Sequence, residues 1–78
     1  MNWQRTTMGR LVCDLGAYRG VVERIAGQSM WTARVESRTQ TYTSVFEYAT
    51  MHEAQHWVER KIEALLNQRS DTSEVRDR

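Results

Sequence analysis

At Thr50 the hydrophobic period of this chain changes, and that change decides what it can fold into. Upstream, Trp31, Ala33 and Val35 alternate with Thr32, Arg34 and Glu36, the period-two pattern of a strand with one buried and one wet face. Downstream, Met51, Ala54, Trp57, Val58, Ile62, Leu65 and Leu66 recur three and four residues apart. At about 100° per residue they form one stripe, as on an amphipathic helix. Thr50-Met51-His52-Glu53 at the junction matches a capping box, in which a Thr hydroxyl and a Glu carboxylate satisfy the orphan amides of a helix start. The helix is expected from about Met51 to Asn67.

The rest of the chain reads as strands and turns. Leu11, Val12 and Leu15, then Tyr18, Val21, Val22 and Ile25, belong to two strands joined tightly at Gly16-Ala17. Gly27-Gln28-Ser29 is the next turn, Met30–Ser37 a third strand, and Arg38-Thr39-Gln40 a polar turn. Residues 41–48, rich in Thr, Tyr, Val and Phe, are expected to form a fourth strand. Residues 69–78 are polar and aperiodic, the composition of a disordered tail behind a single domain over 1–68. The fold class is α+β: a small antiparallel sheet of three to four strands with one C-terminal amphipathic helix packed on one face.

A chain of 78 residues with one cysteine has little core and no intrachain disulfide. Cys13, inside Leu11-Val12-Cys13, reads as a small buried hydrophobe, and such sparing cysteine use fits a reducing, cytoplasmic setting. No leader pattern opens the chain, and no apolar run is long enough to span a membrane. A sheet covered on one face leaves edges and a face that invite pairing, which favours a homodimer. A net charge of +1 argues against a strongly electrostatic nucleic-acid binder. Ten of the eleven basic residues are Arg, though, a residue suited to planar contacts with carboxylates or phosphates.

His52-Glu53-Ala54-Gln55-His56 matches H-E-x-x-H, in which two His hold zinc and the Glu acts as base. Helix geometry argues against a protease site. His52 and His56 point away from the apolar stripe, where no walled cleft is expected, and Glu53 already serves the cap. No third His exists in the chain. No nucleophile lies beside a base and no glycine-rich phosphate cradle occurs, so neither catalysis nor a cofactor is expected. Candidate binding residues are instead Trp3, ahead of the regular structure, and Arg24, Arg34 and Arg38, expected to share the open sheet face. Trp3 either caps the core edge or anchors a partner.

Tyr18-Arg-Gly-Val-Val-Glu, Trp31-Thr-Ala-Arg-Val, Phe46 and Ala54-Gln-His-Trp57-Val-Glu together resemble small phage and mobile-element proteins of strand–strand–strand–helix layout. Among such proteins are the anti-CRISPRs, single-domain inhibitors that bind a CRISPR effector. The resemblance implies a host protein or ribonucleoprotein complex as partner, with direct nucleic-acid contact as the alternative. The layout is also similar to the N-terminal domain of HicB-type antitoxins and to double-stranded-RNA-binding domains. The acidic-Gly-Tyr-Trp strand of the first and the N-terminal helix of the second are absent from this chain.

Overall fold

The computed structural model describes residues 2–7 and 9–76, the side chains of Thr7 and of residues 69–76 excepted. Five strands form one antiparallel meander in the order β1 to β5, followed by one helix. The strands are β1 (Gln4–Thr7), β2 (Arg10–Leu15), β3 (Tyr18–Arg24), β4 (Trp31–Glu36) and β5 (Thr41–Thr43), and the helix is α1 (Met51–Arg76). The expected class holds, with one strand more than the upper expectation. The extra strand is β1, whose sequence Gln-Arg-Thr-Thr has no apolar residue to mark it; its extended backbone is defined by pairing with β2.

The hairpin turns follow their glycines. Gly16 has φ 62° while Ala17 keeps a negative φ, the pattern of a two-residue type II′ loop between β2 and β3. Gly27, φ 76°, serves the β3–β4 turn, closed by the Ile25 amide donating to the Met30 carbonyl at 2.8 Å. In β4 the expected alternation is observed, with Ala33 and Val35 buried.

The register assigns faces. Gly20, Val22 and Arg24 of β3 sit opposite Val35, Ala33 and Trp31 of β4, on the side covered by α1. Val21 and Glu23 sit opposite Arg34 and Thr32, on the other side. The helix packs on β3 and β4, burying Ala54, Val58, Ile62 and Leu65 against Cys13, Val22, Ala33 and Val35. It comes close over Gly20, where a Cβ would collide with Val58 Cγ1 and lie 2.9 Å from Cys13 Sγ. Glycine is required there for space, since its φ is not in the left-handed region.

Thr50 caps the helix as expected: its hydroxyl accepts the Glu53 amide at 3.2 Å and donates to the Glu53 carboxylate at 3.1 Å. The helix continues to Arg76, beyond the Asn67 expected from the apolar stripe. A helical backbone needs no apolar stripe once it overhangs the sheet. The side chains of the expected tail, 69–78, lie outside the described residues.

The expected fourth strand is shorter than 41–48. Arg34, Val35 and Glu36 pair with Thr43, Tyr42 and Thr41, and the ladder then slips by two residues before Trp31 meets Tyr48. The intervening chain loops out of the sheet.

Candidate binding surface

Each flank of α1 meets a different part of the sheet. On one flank Trp3 lies half-buried, its ring 3.6 Å from the position a Gly20 Cβ would take. Its indole Nε1 donates to Glu59 Oε2 at 3.0 Å, tying the chain ahead of β1 to the helix. Of the two roles open to Trp3, core packing is the one its surroundings support. The ring is engaged within the molecule.

The open sheet face carries a line of paired charges. Arg34 Nη1 lies 2.5 Å from Glu23 and its Nε 2.7 Å from Glu36, while Arg10 Nε lies 3.9 Å from Glu23. The Arg34 guanidinium is held above its ordinary pKa, chiefly by the Glu36 hydrogen bond. Val21, opposite Arg34 in register, is only 1% exposed although no helix covers this side. Neighbouring arginine stems can shield such a residue while their charged heads stay wet. The face therefore offers neither a bare apolar patch to a second sheet nor a run of unpaired cations to phosphate.

Arg24 does not share that face. It belongs with Trp31 on the helix side, and its Nε donates to the Gln28 carbonyl at 3.2 Å in the neighbouring turn. The adjacent pair Val21-Val22 hides the parity of β3 in the sequence, which is why the expectation failed. Arg38 is exposed in the β4–β5 turn, beyond the end of the strand that carries Arg34. It borders a shallow depression of about 260 Å³ with Tyr18, Arg19 and Glu36, where Arg19 is already paired with Asp14 at 2.9 Å. Trp3, Arg24, Arg34 and Arg38 thus do not form one surface.

Two residues missed from the sequence dominate the exposed apolar area. Val45 is 88% and Phe46 70% exposed, at the point where the chain leaves β5. The turn that presents them is strapped. Ser44 Oγ accepts the Phe46 amide at 3.2 Å, donates to the Phe46 carbonyl at 3.1 Å and lies 2.9 Å from the Tyr48 hydroxyl. The Ser44 amide donates to the Ala33 carbonyl, and Tyr48 exchanges both backbone hydrogen bonds with Trp31. The sequence does contain the signal: Tyr42, Val45, Phe46 and Tyr48 do not alternate, so a single strand cannot bury them all on one face.

Because β5 ends at Thr43, the second flank of α1 has no strand beside its first turns, and a groove of about 680 Å³ opens there. Tyr48, His52, His56, Trp57, Arg60 and Lys61 line it. His52 and His56 are exposed, as their position on the helix implies, but they border a groove where no cleft was expected. No cluster of three or more His, Cys, Asp or Glu that could hold a metal ion occurs among the described residues. Lys61 Nζ sits 5.0 Å from the centre of the Tyr42 ring, a cation–π contact that anchors this flank to β5.

Cys13 is buried in the core, as expected. Burial pushes its thiol above the ordinary value of 9.0, opposed by a hydrogen bond with the Gly20 backbone and reinforced by Asp14 and Glu59. A thiol in that state is a poor nucleophile. No helix is long and apolar enough to cross a membrane, among the described residues. No family model matches the chain, and neither a curated protein nor a solved structure matches it.

Proposed function

We propose that this protein is a non-catalytic binding domain that seats Val45 and Phe46 in a protein partner, and that the partner is a host nucleic-acid-targeting complex which it inhibits in the manner of an anti-CRISPR. The observation carrying this reading is the exposed Val45-Phe46 pair on a hydrogen-bonded turn. Adjacent apolar side chains held out to water gain most when a partner buries them, and aromatic residues are enriched in interface cores. A turn already fixed by Ser44 loses little conformational freedom on docking. The charge pattern supports a protein partner over nucleic acid, because Arg10, Arg19 and Arg34 face carboxylates. The inhibitory role rests on the likeness to small phage proteins.

In bacteria with an active CRISPR system, expression of the chain should restore transformation by a targeted plasmid. Phe46→Ser combined with Val45→Thr should abolish that effect while leaving the melting temperature unchanged. Targeting that persists across systems of every type tried would end the inhibitor reading. Partner capture that disappears after nuclease treatment would transfer the function to nucleic-acid binding.

A further inference from the structure

We infer that the groove between Tyr48 and the first turns of α1 takes an acidic, apolar-bearing peptide segment of the partner protein. The inference rests on the protein-binding reading above and adds a second contact site with its own chemistry. Shape comes first. The groove, about 680 Å³, is within the size range of sites that bury most of a bound ligand. Its walls include Tyr48 and the half-buried Trp57, so apolar side chains of a ligand would meet ring surface.

Charge then selects the occupant. Among the described residues neither Arg60 nor Lys61 has a carboxylate within ion-pair distance, and Lys61 Nζ lies over the face of Tyr42. His52 and His56 add two imidazoles, able to hydrogen-bond a ligand, along the same wall. The one carboxylate lining the groove, Glu53, is engaged by the Thr50 hydroxyl. On the open sheet face, by contrast, Arg10 and Arg34 lie within ion-pair distance of Glu23 or Glu36. Unpaired cations beside aromatic walls complement a segment in which Asp or Glu alternates with Leu or Phe. An oligonucleotide fits less well, since its backbone calls for a continuous cationic track and the lining supplies only Arg60 and Lys61 as full cations.

The test is an NMR titration of the isotope-labelled full chain. The probe is a short synthetic peptide alternating Glu with Leu and Phe; controls are its Lys-for-Glu counterpart, a plain polyglutamate and an oligothymidylate. Shifts should concentrate at Tyr48, His52, His56, Trp57, Arg60 and Lys61 with the acidic apolar peptide, and be weak with the others. Arg60→Glu with Lys61→Glu should weaken binding by about tenfold or more, and the milder Arg60→Gln with Lys61→Gln by less. An unmoved Trp3 indole resonance certifies the fold in both.

Absence of groove shifts, equal binding of the Lys peptide, or stronger groove shifts with the oligothymidylate would each overturn the inference. The Val45→Thr, Phe46→Ser variant should bind the peptide normally. If the groove fails while that variant still loses the cellular effect, only the groove assignment falls. If the cellular effect is absent from the start but the peptide binds, the inhibitor reading falls alone.

Discussion

Replacing Gly20 with Ala should destabilise this domain, against the usual direction of a Gly→Ala change. An alanine ordinarily gains about 0.4–1 kcal/mol by restricting the unfolded chain, provided the native backbone suits it. The Gly20 backbone does suit it, because its φ is not positive. What opposes the change is space: the new methyl would overlap Val58 Cγ1, lie 2.9 Å from Cys13 Sγ and 3.6 Å from the Trp3 ring. Val58 and Cys13 are both fully buried and packed in the same core, so neither has open volume to move into. Overpacking of this kind costs about 1–3 kcal/mol. Set against that gain, the net loss is about 1.3 kcal/mol, which in a domain this small lowers the melting temperature by about 5–10 °C.

Thermal melts followed by far-ultraviolet circular dichroism would measure it, with Val58→Ala and the double variant completing a cycle. Val58→Ala alone opens a cavity and destabilises. The double variant should be more stable than the sum of the two losses, because the Gly20→Ala methyl enters the volume that Val58 vacates. Strict additivity, or a single Gly20→Ala variant as stable as the parent, would refute the close approach of α1 to β3.

Thr50→Ala should cost about 1 kcal/mol, since the Glu53 amide loses its acceptor at the helix start; Thr50→Ser should cost less, as equilibrium urea unfolding would report. Cys13 gives a prediction on the alkaline side. Its thiol pKa is raised by burial in the folded state, so its contribution is intact below about pH 9.0 and is lost as pH climbs through the folded value. Unfolding free energies of parent and Cys13→Ala should therefore converge as pH rises from that point, and parallel curves would contradict a buried neutral thiol.

Where side-chain pattern and backbone agree, this fold is legible in the sequence. β4 alternates cleanly, Gly16-Ala17 turns the β2–β3 hairpin, and Thr50 with Glu53 starts the helix. What was not legible depends on partners distant along the chain. β1 is a strand because β2 offers it hydrogen bonds, not because of its own residues. Arg24 faces the helix because the register puts it opposite Trp31, a fact no local window around Val21-Val22 contains. The apolar stripe marks how far α1 is buried, ending near Leu65, and says nothing of how far the backbone stays helical.

The candidate surface arises from a single event, the end of β5 at Thr43. Had residues 41–48 continued as a strand, Val45 and Phe46 would occupy opposite faces of the sheet and a longer strand would lie beside the free flank of α1. Instead the two-residue slip before Tyr48 expels Val45 and Phe46 and leaves that flank bordering a groove. On the other flank Trp3 donates to Glu59, and Arg10, Glu23, Arg34 and Glu36 line the sheet face where Val21 is buried. In a chain this short, apolar area left in water weighs heavily against a thin margin of stability. Two large apolar side chains, held exposed by a turn that Ser44 straps, are therefore what this domain would gain most by covering.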